Sequence, residues 1–177
     1  MMKMSHDTCH LPHTRIGFTL VELLVTISII GLLASITVLS VGNVRQVARD
    51  SKRLADIKQM QTGLEFFFNQ TNGYPLTKDA LRDGDGFVNL GDANHNVLCS
   101  ATNNGFQANL GECGAFPVYM SKVPTNPQPG GGPFYRYREE VMPGNEKPTT
   151  YQIRFNLETA IAGYAPGEHI ARPSGVQ

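Results

Sequence analysis

Between residues 18 and 44 this chain carries a single ionisable side chain, Glu22, and that stretch constrains everything around it. Residues 23–41 are nineteen in a row without charge or proline. At about 1.5 Å per helical residue they reach across the ~30 Å hydrocarbon layer of a bilayer, which predicts a membrane-spanning helix. A carboxylate at the bilayer centre costs about 2.5–3.5 kcal/mol, so Glu22 needs either a shallow position, suited to the positive end of the helix dipole, or a partner. Gly17 stands immediately before the apolar run and after a short polar leader. A secretory signal peptide carries its small-residue cleavage site after its apolar region. Here the small residue comes first, so a cut at Gly17 leaves the helix on the mature chain.

The leader, residues 1–17, has neither helical nor strand period. Its His6, His10 and His13 beside Cys9 are read as parts of a processed segment rather than a metal site, because nothing around them fixes a coordination geometry. Within the apolar helix, at about 100° per residue, Thr19, Glu22, Thr26, Thr37 and Ser40 fall in one arc of about 60°, and Ser28, Gly31, Ser35 and Gly42 fall in a similar arc opposite. Small residues let helix backbones approach in lipid, and hydroxyls bond across helices. A lone anchor needs neither face, whereas a subunit surrounded by copies of itself uses both. The alternative for each hydroxyl is a bond to its own helix carbonyls. No proline occurs between Pro12 and Pro75, so a kink would have to use Gly31 or Gly42.

Past the apolar run, Val44, Val47, Ala48, Leu54, Ile57, Met60, Gln61, Leu64, Phe67 and Phe68 recur largely at steps of three and four, which predicts an amphipathic continuation over residues 45–72. Asn72-Gly73 and Tyr74-Pro75 end it. The charges Arg45, Arg49, Asp50, Lys52, Arg53, Asp56 and Lys58 are read as a solvated face with local pairing. Residues 77–115 are rich in Gly, Asn and Asp and read as a long loop pinned by Cys99 and Cys113. With Cys9 lost in the leader, those two of the three cysteines form an even pair. In an oxidising compartment they would make a disulfide, against the alternative of two buried thiols.

Two pieces of this loop invite calcium: Asp83 and Asp85, and the set Asp92, Asn94 and Asn96. The second begins like an EF-hand loop, but Val97 replaces the turn glycine and Asn103 stands where the bidentate Glu belongs, so ordinary turn chemistry is the competing account. No other cofactor is called for. No paired base, nucleophile or carboxylate dyad accompanies His95, and Gly130-Gly131-Gly132 lacks the Lys and Ser or Thr of a phosphate loop. A net charge of zero provides no field that recruits nucleic acid. Farther on, residues 134–140 and 150–158 read as antiparallel strands turned at Pro143-Gly144-Asn145. In the second, Tyr151, Ile153, Phe155 and Leu157 alternate against Gln152, Arg154 and Asn156. That apolar face is expected to pack on the helix stripe from Leu54 to Phe68. A short edge strand is expected near residues 169–172.

The run Arg15-Ile16-Gly17-Phe18-Thr19-Leu20-Val21-Glu22 resembles the processing and methylation site of type IV pilins and type II secretion pseudopilins. The resemblance covers residues 15 to about 74 and requires leader, Gly, Phe, Glu and long apolar helix in that order. It implies that a prepilin peptidase cuts between Gly17 and Phe18 and methylates the new Phe18 amine. It further implies that Glu22 pairs with the Phe18 amine of a neighbouring subunit during assembly. Residues 119–127, with Val123-Pro124-Thr125-Asn126-Pro127, and the strand after them are similar to the major pseudopilin of type II secretion, whose calcium-binding C-terminal loop is not recognisable here. Positive charges number two in the leader, Lys3 and Arg15, against five from Arg45 to Lys58, which by the charge rule alone would put the head in the cytoplasm. The resemblance implies the reverse, with the N-terminus cytoplasmic and the head outside.

The resulting expectation is an α+β, pilin-like subunit, not an enzyme. It has a leader (1–17), a transmembrane helix half (18–44), an amphipathic half (45–72) and a globular head (73–177) with a small antiparallel sheet at about 134–172. Implied partners are the prepilin peptidase, copies of itself and other pilins, inner-membrane assembly machinery and membrane lipid. The product is a type IV pilus or a secretion pseudopilus. The alternative is a membrane-anchored binding or enzymatic head, using the loop 77–115, that does not polymerise.

Overall fold

The computed structural model describes residues 17–77, 79–100, 105–130 and 132–177, the side chains of 36–41 and 79 excepted. His6, Cys9, His10, His13, Asn103 and Gly131 lie outside the described residues, as do the side chains of Thr37 and Ser40. The chain divides into two compact units, one ending at Gly42 and one over Asn43–Gln177. A single long helix, α1 (Leu20–Thr71), contributes to both.

In the first unit α1 shows its apolar side chains to the surroundings: Leu20, Val21, Leu23, Leu24, Val25, Ile27, Ile29, Ile30, Leu32 and Leu33 are all exposed. Among the described residues no helix is long and apolar enough to cross a membrane. The uncharged run 23–41 includes residues 36–41, whose side chains are not among those described. Thr26, Ser28 and Ser35 donate their hydroxyls to the carbonyls of Leu23, Leu24 and Leu32 at 2.8, 2.7 and 2.7 Å. In the single chain, therefore, these three hydroxyls follow the own-carbonyl alternative.

The second unit is built on the outer turns of α1. Ile57, Met60, Leu64 and Phe67, spaced by three and four, are buried and carry Leu54 and Phe68 at their margin. The helix ends where the chain turns left-handed at Asn72 (φ +56°), one of the few non-glycine types that tolerates this conformation. Its terminal carbonyl, on Thr71, accepts from Lys147 Nζ at 2.6 Å.

Against the helix stripe lies a five-stranded antiparallel sheet in the order β1-β5-β6-β7-β8, made of β1 (Val88–Leu90), β5 (Tyr135–Glu140), β6 (Thr150–Leu157), β7 (Gly167–Arg172) and β8 (Gly175–Val176). Tyr135 and Tyr137 of β5 and Tyr151, Ile153, Phe155 and Leu157 of β6 are buried in one core with the helix residues. The register Tyr137↔Ile153 puts these residues opposite one another. The alternation read in residues 150–158 thus has the expected cover. The expected edge strand is β7, but it is not the edge, because β8 pairs with it through Ala171↔Val176.

Residues 77–115 depart from the expected loop. They contain β1, β2 (Val97–Cys99) and β3 (Phe106–Gln107), with short 3₁₀ turns at Asp79–Leu81 and Leu110–Cys113. The pieces β2 and β3 join β4 (Val118–Met120) in a second antiparallel sheet ordered β3-β2-β4. Runs of two or three residues are too short to show a period. They become strands because a partner supplies the hydrogen bonds: β5, well along the chain, for β1; β4 for β2; and the nearby β2 for β3.

Candidate functional site

At the N-terminal end Gly17, Phe18 and Thr19 are non-helical, and α1 begins at Leu20. Thr19 caps it. The Glu22 N–H donates to Thr19 Oγ1 at 3.2 Å and the Leu23 N–H to the Thr19 carbonyl at 3.2 Å. Threonine at the cap with glutamate three residues later is the capping-box spacing, which answers donors the first turn of a helix leaves unpaired. Glu22 is exposed and is the acidic residue of the first turn, where the helix dipole favours a negative charge. Phe18 is 79% exposed. Among the described residues, a Cβ built on Gly17 meets nothing within 4 Å.

The second unit holds a polar cluster that the sequence reading placed in solvent. Arg53 and Asp50 are fully buried and Asp56 nearly so. The Arg53 guanidinium donates to Asp50 Oδ1 at 2.5 Å, Glu158 Oε1 at 2.7 Å and Asn126 Oδ1 at 2.8 Å, and to the carbonyls of Pro127 and Pro129 at 2.7 and 2.9 Å. Arg49 completes a two-point pair with Glu158. Asp50 accepts from the Glu158 and Thr159 N–H groups and the Thr159 hydroxyl. The Arg49 hydrogen bond, with Arg53 beside it, holds the Glu158 carboxyl down at about 2. Burial alone would raise Asp50, but the Glu158 N–H, the Thr159 hydroxyl and Arg53 together keep it below the usual carboxylate range. One helical turn thereby grips both the 124–130 segment and the end of β6. The only sequence signal was charge at helical spacing, which burial turned inward.

Cys99 and Cys113 are bonded to each other and buried beside Val97. The calcium candidates separate into two places. Asp83 pairs with Arg136, accepts the N–H groups of Asp85 and Phe87, and is held below the usual carboxylate range; burial opposes this and those hydrogen bonds outweigh it. Arg136, Arg138 and Arg154 stack over Phe87 at 5.2, 4.7 and 4.1 Å, with Asp85 at their edge. Asp92 Oδ1 accepts from the Asn94 and His95 N–H groups and contacts His95 Nδ1 at 3.0 Å. Asn96 ties strands through its main chain, to Gln107 and Val123. These oxygens thus serve turns and arginines, and among the described residues no group of three or more His, Cys, Asp or Glu side chains could hold a metal ion.

A family model described as the prokaryotic N-terminal methylation motif matches residues 13–38. The chain is similar to the type II secretion system core protein G of Aeromonas hydrophila, at 36% identity over 73 residues, 41% of this chain and 49% of that protein. It is 35% identical over 66 residues to the core protein G of Pectobacterium carotovorum subsp. carotovorum, covering 37% of this chain and 42% of that one. With the Escherichia coli (strain K12) core protein G it shares 35% over 65 residues, 37% and 45% of the two chains. The chain spans just under half the length of the curated relatives it matches. No solved structure matches it. The chain thus carries the prokaryotic N-terminal methylation motif over residues 13–38, at the start of a capped apolar helix bearing Glu22, and over part of its length is similar to type II secretion system core protein G.

Proposed function

We propose that this chain is a structural subunit of a filament of the type II secretion pseudopilus kind, and not an enzyme. A prepilin peptidase cuts it between Gly17 and Phe18 and methylates the Phe18 amine. The helix over residues 18–44 is held in the inner membrane, N-terminus cytoplasmic and head outside, until assembly machinery moves it into a filament of its own copies and other pilins. The observation that carries this reading is the row of exposed apolar side chains from Leu20 to Leu33 directly after the Gly17-Phe18 motif. A surface of that kind is unstable in water, and either lipid or neighbouring helices must cover it. Glu22, exposed at the first turn, is available to the cationic Phe18 amine of a neighbour, where a charge-assisted bond in a low-dielectric setting is strong.

Intact-protein mass spectrometry of the membrane fraction, with electron microscopy of sheared material, tests it. A mature chain beginning at methylated Phe18 and present in filaments is expected. A chain that keeps Cys9, or one found only as dispersed monomer, overturns the reading.

A further inference from the structure

We infer that Thr19 is a positioning residue for processing: its hydroxyl fixes where the long helix starts and so keeps the Gly17–Phe18 peptide bond out of the helical ladder. The inference rests on the processing reading above. Its basis is the geometry of three residues. Gly17, Phe18 and Thr19 are non-helical, Leu20 is the first helical residue, and the Thr19 side chain and carbonyl accept the N–H groups of Glu22 and Leu23.

The chemistry of proteolysis makes this placement matter. The group a peptidase attacks is the carbonyl carbon of Gly17, and its binding cleft must engage the main chain on both sides in extended form. A helix whose first residue was Phe18 would make Gly17 the cap and give its carbonyl the first intrahelical bond, from the Val21 N–H. That carbonyl would be turned along the helix axis and engaged. With the cap at Thr19, the ladder opens one residue after Phe18 and the scissile carbonyl precedes it. Glycine also caps helices acceptably, so Gly17 itself offers the competing helix start. Thr19 is what decides between the two.

The test uses the full chain in membrane vesicles containing prepilin peptidase, scored on the membrane-inserted pool by the rate of conversion to the mature mass. Thr19→Val keeps the shape and removes the acceptor, whereas Thr19→Ser and Thr19→Asn keep the acceptor and change the shape. Loss of one cap corresponds to about a five-fold shift in the helix-start equilibrium. Thr19→Val should therefore lower kcat/KM measurably, by at most about five-fold, mainly through KM, because fewer chains present the cuttable conformation. Thr19→Ser and Thr19→Asn should cut near the wild-type rate.

Wild-type kinetics in Thr19→Val overturn the inference and leave the processing reading standing. Equal slowing in all three variants also overturns it, because the peptidase would then be reading the threonine itself. A wild-type chain left uncut at Gly17 removes the processing reading and this inference together.

Discussion

Replacing Arg53 with Met keeps a long apolar stem and removes the guanidinium, which makes it the sharpest test of the buried polar cluster. Some partners are left with cover. Glu158 retains Arg49, Asp50 retains the Thr159 hydroxyl and two N–H groups, and the Gly130 carbonyl retains Asn126 Nδ2 at 3.0 Å. Asn126 Oδ1 and the Pro127 and Pro129 carbonyls lose the guanidinium as donor. At about 1 kcal/mol or more for each acceptor stranded in a buried site, these three alone amount to roughly 3 kcal/mol. Two carboxylates facing the single cation Arg49 add to this, which puts the total in the ~3–5 kcal/mol range for breaking a buried pair from one side. For a unit of this size that is a fall of about 10–18 °C in Tm, measured by thermal unfolding of the full chain in detergent micelles. Arg53→Lys should lie between, because an ammonium can serve the carboxylates but lacks the planar fork that spans Asn126 and the proline carbonyls. A loss below about 1 kcal/mol in Arg53→Met, the size of an exposed ion pair, would refute the reasoning.

Glu22→Gln should leave membrane-bound, processed subunit at wild-type level while sharply reducing sheared filament, since only the pairing with a neighbour's amine is lost; normal filament yield refutes it. Removing the disulfide by Cys99→Ser with Cys113→Ser, across a sequence separation of 14, should cost about 3 kcal/mol in denaturant unfolding, and alkylation without reductant should find both wild-type thiols blocked. Glu158 and Asp50 both titrate below their ordinary values in the folded chain. Their contribution to stability is therefore fully present above about pH 4.5 and is lost as pH falls toward 2. Tm should drop through that window, and less steeply in Glu158→Gln. Gly105→Ala should destabilise by about 2 kcal/mol or more, because the position has φ +81° and a Cβ there would lie 2.6 Å from Pro75 Cβ and 2.9 Å from Phe67. Gly63→Ala should be milder, since the new atom meets only the flexible Met120 side chain.

What could be read from the sequence was what neighbouring residues decide among themselves. The apolar run, the helix stripe of Ile57, Met60, Leu64 and Phe67, and the alternation of Tyr151, Ile153, Phe155 and Leu157 are all short-range patterns, whereas the Gly17-Phe18-Glu22 motif was read through a family resemblance. Each pattern follows from helical or strand geometry over a few residues. The Asn72 stop is equally local, whereas Thr19, read as part of the helix's hydroxyl arc, instead precedes the helix and caps it.

Arg53 and Asp50 could not be assigned this way. Three apart on a helix, they look like any solvated pair, and their burial is imposed by Asn126, the 127–130 carbonyls and Glu158, which lie 73 to 108 residues away in the chain. The strands β1, β2 and β3 were invisible for the same reason. Two or three residues carry no period, and only pairing makes them strands, with the distant β5 for β1, β4 for β2, and β2 itself for β3. The sequence alone therefore determined which segments are helix and apolar face, because those depend on contacts within a turn or two. Tertiary structure decided which charges are buried and which short segments pair, because both depend on desolvation and hydrogen bonds that exist only once remote parts of the chain have met.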